Sequence, residues 1–307
     1  MATCGIADVG SNTMRLSIYQ YDETGFRLLL NKKEMAGLAG YVRGGTLSEG
    51  GILVACRVLA SFRDLLANLG IEELHVFATA SLRNISNTEE AVETIRANTG
   101  IPVQVISGAE EAALAYRGAL YGSPAEVERG LLADIGGGST ELVVYDQTSI
   151  RSCRSLPMGS LSLYTKYVSG LFPTPEEARE IRRAVRSELD RLDGDPVPCP
   201  HLRGVGGTVR AVAKICLDLN GGPVGRSFSA DEIRKLYKRL NKGDKAALKQ
   251  ILRSAPDRVH TLLPGLIILN SVIRAHQSEQ LTVSAQGVRE GYLLKYVIAK
   301  EAPHVQA

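Results

Sequence analysis

The chain has no C-x-x-C pair, no low-complexity tract and no apolar run of the roughly 18 residues that a membrane-spanning helix needs. Its five cysteines (Cys4, Cys56, Cys153, Cys199, Cys216) are odd in number and scattered. That pattern speaks against a disulfide framework and a cysteine zinc site, and for a reducing cytoplasm. The opening MATCGIADVG lacks a basic segment leading into a long apolar core, so no signal peptide is expected. A bulk excess of one charge is missing too. The 36 Lys and Arg against 33 Asp and Glu leave a balance of +3, too weak to argue for nucleic-acid binding. What remains is 44% hydrophobic and 22% charged over 307 residues, the mix of a soluble globular protein long enough for two domains.

What is present is an alternation of strands and helices that restarts halfway. A strand over 3–7 stops at Asp8-Val9-Gly10-Ser11-Asn12, and MRLSIYQYD and FRLLLNKKEM follow as further strands. Helices are expected over 48–69 (Ser48 as N-cap, Gly70 as stop), 88–98 and after Ser107-Gly108, with strands at 73–78 and 102–106. After a Ser-Pro break at 123–124, LLADIGGGSTELVVYD repeats the strand, acidic glycine turn and strand, and a third strand lies near 149–156. Helices are expected at 159–168, 175–192, 207–219, 230–241, 244–253, 256–276 and 287–300, with strands at 202–206 and 280–284. Asp8-x-Gly10 and Asp134-x-Gly136 each open one half. Asp-x-Gly is common turn chemistry, but its position in both halves points to an internal repeat of two α/β domains, with ligands expected in a cleft.

Turns rich in Gly and Ser can aim several N–H groups at one phosphate. Gly10, Ser11, Asn12 and Thr13 form one such turn, and Gly136, Gly137, Gly138, Ser139 and Thr140 the other. Asp8 and Asp134 at their edges would repel a bare phosphate, so a divalent cation of the Mg²⁺ kind is expected between acid and ligand. Glu110 and Glu111 open a helix, where spacing alone favours capping and helix-dipole roles. Arg83, on the small-residue loop of FATASLRN, reads as a surface arginine or as a fork for phosphate oxygens. Gly206-Gly207-Thr208 at a helix start is an anion or nucleotide-edge site, or else close packing of helix on strand.

In combination, IADVGSNTMRL, ATASLRN, VISGAEEAALAYRG, ADIGGGSTEL, LPMGSLSL, GVGGTVRAVA, LLPGLIIL and SAQGVREGYLL resemble the Ppx/GppA family of exopolyphosphatases and guanosine pentaphosphate phosphohydrolases. The segments follow family order across nearly the whole chain. The resemblance implies two actin-like (ribonuclease H-like) α/β domains of the actin–hsp70–sugar kinase superfold, with an interdomain cleft. Domain I would be 1–120 plus a helix at about 290–307, and domain II 121–289. It implies Glu111 as the catalytic base, Arg83 on the polyphosphate end and Glu141 near the metal and water. It further implies Asp134 and Asp8 on Mg²⁺ (or Mn²⁺), and Gly206-Gly207-Thr208 as the superfold's adenosine-side motif.

The implied reaction is hydrolysis of the terminal phosphoanhydride of inorganic polyphosphate. Guanosine pentaphosphate (pppGpp) is the rival substrate, and a non-catalytic polyphosphate or alarmone sensor is a reading of another class. A sugar kinase of the superfold would lack the ISG-x-EE segment. The family also implies a homodimer, while the cysteine, charge and hydropathy patterns above lead us to expect a cytoplasmic protein without nucleic-acid or membrane partners. Two departures stand out. Ala112-Ala113-Leu114 replaces the usual Ala-Arg-Leu, and no segment supplies the C-terminal HD-type helical domain of longer members. The resemblance is thus to the short form, for which shorter polyphosphate chains are the expected substrate.

Overall fold

The structure, a computed structural model, describes residues 1–122, 129–147, 149–192, 197–220 and 226–299. The Ser123-Pro124 break and the tail after Lys300 lie outside them. The chain divides into two compact units, Met1–Gly118 with the chain from Val288 onward, and Ala119–Gly287.

In unit 1, β1 (Ala2–Val9), β2 (Met14–Asp22) and β3 (Gly25–Glu34) form an antiparallel meander. A small ribbon of β4 (Val42–Arg43) and β5 (Thr46–Leu47) follows. Then β6 (Leu74–Ala78) and β7 (Gln104–Val105) extend the sheet in parallel, giving the order β3-β2-β1-β6-β7. Helix α1 (Glu49–Asn68) starts on Ser48, whose side chain accepts from Gly51 N, and stops before Gly70 at φ +69°.

Alternation along β1 and β2 sorts their side chains between two faces. Val9, Met14, Leu16 and Ile18 pack on α1 and α3 (Thr88–Thr99) through Leu59, Phe62 and Ile95. Ile6, Tyr19 and Phe77 pack on the opposite side with Leu114 of α4 (Gly108–Leu120) and with Tyr292, Leu293 and Val297 of the closing segment. Each fully buried side chain of this size contributes about 1.5–3 kcal/mol.

Unit 2 repeats the plan. β8 (Gly130–Ile135), β9 (Thr140–Asp146) and β10 (Ser149–Leu156) form the meander. β11 (His201–Val205) and β13 (Gln280–Val283) continue it in parallel, and β12 (Ser227–Ser229) closes the order β10-β9-β8-β11-β13-β12. One face carries the helical core, contributed by α5 (Ser160–Tyr167), α6 (Pro175–Asp190), α7 (Gly206–Asn220), α8 (Ala230–Leu240), α9 (Lys245–Ser254) and α10 (Leu262–Ala275).

Three local expectations change. The single helix expected over 256–276 is a 3₁₀ turn at Pro256–Arg258 followed by α10. Pro264 explains the break: it has no N–H to give, and in a continuous helix its ring would strike the carbonyl of residue 260. The FATASLRN loop contains one helical turn, α2 (Ala80–Arg83). The closing helix is α-helical over Val288–Tyr292 and then widens to a π-helix over Leu293–Ile298.

Candidate active site

The two acidic hairpins are copies of one another in register. Asp8 pairs across the strands with Arg15 and Val9 with Met14, while Asp134 pairs with Glu141 and Ile135 with Thr140. Each aspartate therefore faces the residue seven positions on, around a four-residue loop. Both loops spend their carbonyls internally. Ser11 O and Asn12 O accept from Ala39 N and Gly37 N, each at 2.9 Å. Gly136 O accepts from Ser160 N at 2.9 Å, and Gly137 O from Leu161 N and Ser162 N, each at 2.9 Å. The triple-glycine turn thus caps α5, and an added Cβ at Gly159 would collide with Gly137 and Gly138. The N–H groups of Ser11, Asn12, Gly137 and Gly138 have no acceptor among the described residues. Unmatched main-chain donors on a half-buried turn make an anion cradle.

In unit 1 three strand ends line up, with Val9 beside Ala78 and Ala78 beside Val105. Ligands of open α/β sheets bind at this carboxyl edge. Ser81 Oγ donates to Val9 O and fixes α2 against the hairpin. Arg83 Nη1 then donates to Ile106 O at 3.1 Å and to Glu111 Oε2 at 2.7 Å. Glu111 is buried and Arg83 largely so. The neighbouring Glu110 turns the other way, to Lys295 Nζ at 3.1 Å and Tyr296 OH. Capping falls to Ser107, whose hydroxyl accepts from Glu110 N at 3.1 Å.

Asp8 is half-buried, and burial raises its carboxyl above the ordinary value against the pull of Arg289 and Arg15. Arg289 comes from the closing helix and donates to Ser17 Oγ, while its neighbour Glu290 accepts from Tyr19 OH at 2.5 Å. Neither Arg289 nor Glu290 was singled out by sequence reasoning, although the VREGYLL segment holding them carried part of the family resemblance.

In unit 2, Asp134 is buried at the end of β8, paired with Val205 of β11. Gly206 follows at φ +91°, and an added Cβ there would lie 2.6 Å from Asp134 Oδ1. Gly207 is the second residue of α7, and Arg258 lies against it so closely that a Cβ would collide with the guanidinium. The Arg258 guanidinium makes no hydrogen bond or ion pair among the described residues, and burial lowers its pKa from the ordinary arginine value against the pull of neighbouring Asp257. The sequence reading missed it, since one Arg in PDRVH looks like any surface arginine.

Several expected donors turn inward. Thr140 is fully buried and its hydroxyl donates to Met158 O at 2.7 Å. Thr208 is buried against Gly265 and Ser160. Ser139 is buried. Glu141 is fully buried beside Asp134 and accepts from Ser155 Oγ at 2.9 Å. In loop 1, Thr13 Oγ1 points to Met35 Sδ at 3.6 Å, and Gly10 is fitted to its own turn, a Cβ there lying 2.8 Å from Thr13 O.

Among the described residues no three His, Cys, Asp or Glu side chains converge on a metal position. The donor set fits Mg²⁺ nonetheless, because that ion commonly takes one or two carboxylates with substrate phosphates and water. Each hairpin offers one hard carboxylate beside phosphate-seeking N–H groups.

The chain matches the model of the Ppx/GppA phosphatase family over residues 17–299. Asp8 to Thr13 precede that stretch, so the first loop stands on its geometry. A curated Haemophilus influenzae relative, named as an exopolyphosphatase, is 27% identical over 292 residues, covering 93% of this chain and 88% of its own. The solved Aquifex aeolicus member of the Ppx/GppA family is 26% identical with a TM-score of 0.78, covering 98% of this chain and 99% of that one. A Cytophaga hutchinsonii exopolyphosphatase shares the fold with a TM-score of 0.82 at 24% identity, over 95% of this chain and 96% of its own. Doubled hairpins, matching sheet orders and the extent of the match agree: the chain belongs to the Ppx/GppA phosphatase family, hydrolases of phosphoanhydride bonds.

Proposed function

We propose that the chain is an exopolyphosphatase that releases orthophosphate from the end of inorganic polyphosphate with the help of Mg²⁺. The observation that carries this reading is the Arg83–Glu111 pair at 2.7 Å, buried at the carboxyl edge of a sheet whose first loop presents unmatched N–H groups. In this reading Glu111 takes a proton from the attacking water, and the ion pair with Arg83 orients its carboxylate. Arg83 turns its fork to a phosphoryl oxygen. The loop donors hold the phosphate oxygens by main chain, where positioning costs no reorganisation during the reaction. Asp134 at the second hairpin and Asp8 at the first are both carboxylates of the kind that hold Mg²⁺. When bound, the ion neutralises charge on the phosphoryl group.

The name of the Haemophilus influenzae relative supports polyphosphate over pppGpp. The deciding experiment measures phosphate release from short and long polyphosphate, pppGpp and ATP, with Mg²⁺ and with chelator. Release from polyphosphate that stops with chelator is expected, faster on short chains than on long. Release from pppGpp alone would move the assignment to that substrate, and binding of polyphosphate without any release would make the chain a sensor. Glu111→Gln preserves shape and removes the base, so kcat should fall by about 10²–10⁴ while the variant stays folded, as its circular dichroism would show. A variant within a few-fold of wild type would remove Glu111 from the role.

A further inference from the structure

The face of the unit 2 sheet turned away from its helices holds a cavity of about 750 Å³, a volume in the range of small-molecule sites. Its floor is laid by strand alternation. His201 and Arg203 alternate with the core residue Leu202 on β11, and Thr282 lies beside both Arg203 and Ser227 in register. Tyr145 crosses from β9 over Gly130, where an added Cβ would collide with its ring. Arg203 Nη1 donates to Ala119 O at 3.2 Å and Arg203 also hydrogen-bonds the Tyr145 phenol. Arg226 on the rim is exposed; its carbonyl accepts from Val283 N at 2.7 Å, while its guanidinium makes no hydrogen bond or ion pair among the described residues. Among the described residues lining the cavity there is no Asp or Glu.

We propose that this cavity binds a phosphate-bearing anion, at a site separate from the residues assigned to hydrolysis. Two arginine forks with histidine and hydroxyl donors, and no carboxylate among the described lining residues, match the geometry of phosphate oxygens. Tyr121, exposed on the rim, offers a ring face that would stack a nucleobase if the phosphate arrives on a nucleotide, whereas Tyr145 is buried in the floor. The site also borders both passages of the chain between units. Ala119 and Tyr121 lie just after the first, and Ser284 and Gln286 just before the second. An anion held here therefore ties down both connections. The proposal is independent of which substrate the enzyme hydrolyses.

Hydrogen exchange on the full chain tests it, with methylenediphosphonate (a diphosphate that cannot be hydrolysed) and guanosine diphosphate as separate probes. Protection is expected in peptides covering 119–122 and 280–286. Arg226→Ala, an exposed position, should weaken that protection by about tenfold in ligand concentration, the loss of one charge-assisted hydrogen bond. Arg203→Lys should weaken it similarly while leaving the fold in place. Protection with both probes identifies phosphate itself as the ligand, and protection with guanosine diphosphate alone identifies a nucleotide. Absence of protection at 119–122 and 280–286 at millimolar probe, or protection unchanged in both variants, overturns the proposal.

Discussion

Two adjacent glutamates show how far one residue changes a role. Glu110 and Glu111 share a helical turn, and their side chains leave it in different directions because consecutive helical positions do not face each other. Glu110 secures the closing segment through Lys295 and Tyr296, whereas Glu111 meets Arg83. Arg258 shows the other side of the same economy. A half-buried guanidinium with no hydrogen bond or ion pair among the described residues, and only the neighbouring charge of Asp257 to offset its burial, costs stability through lost hydration, which a bound anion would offset. Arg258→Met should therefore keep or raise the thermal midpoint while lowering kcat/KM on polyphosphate by about 10–100-fold, the worth of a charge-assisted hydrogen bond. Equal activity in the variant would remove Arg258 from substrate contact. The glycine turns were legible in the sequence because turn chemistry is local. Arg258 and Arg289 were not, since each reaches its loop only through the tertiary fold; Arg289 meets Ser17 across 272 positions.

Among the elements, helix starts were the most legible. Thr174, Pro175 and Glu177 form a full capping box on α6, with Glu177 N donating to Thr174 Oγ1 at 3.2 Å and Thr174 N to Glu177 Oε2 at 2.8 Å. Ser169 adds donors from its N at 2.9 Å and its hydroxyl at 2.7 Å. The backbone donors of Thr174 and Ser169, joined by the serine hydroxyl, pull the Glu177 pKa down to about 2. A carboxylate depressed in the folded state stabilises above its ordinary value near 4.5, and that contribution is lost as pH falls towards 2. Glu177→Gln should flatten the loss of thermal midpoint across that window, and a wild-type acid limb in the variant would contradict the assignment. Thr174→Ala should cost about 1 kcal/mol at neutral pH. The helix ends were less legible. The split at Pro264 and the π-turn after Tyr292 depend on how α10 and the closing segment pack, which spacing alone does not carry.

At the scale of the whole chain, unit 1 is built from both ends of the sequence, and unit 2 is inserted between them. The repeat of hairpin, third strand and parallel strands was readable from the two Asp-x-Gly turns. The covering of the β1–β2 face by the closing segment was expected only from the family resemblance. That segment fills the second core of unit 1: Tyr292 stacks on Phe77 with ring centroids 5.0 Å apart, and its hydroxyl donates to Gln104 Oε1 at 2.9 Å. Tyr292→Ala should cost about 3–5 kcal/mol. Hydrogen exchange in urea should place that loss in unit 1 and leave α10 of unit 2 protected. Equal loss in both units would mean that they unfold as one.

The capped glycine turn carries a consequence for mutagenesis. The donors it would offer a ligand are the peptide N–H groups of Gly137 and Gly138, and the carbonyls of Gly136 and Gly137 are spent on α5. Alanine scanning removes side chains and leaves every one of those donors in place. Substitutions across 136–139 will therefore register as misfolding or as nothing, and the loop will look inert in any side-chain map of activity. Only replacing the amide itself, by a backbone ester at Gly138 introduced through semisynthesis, deletes the donor while sparing the shape of the turn.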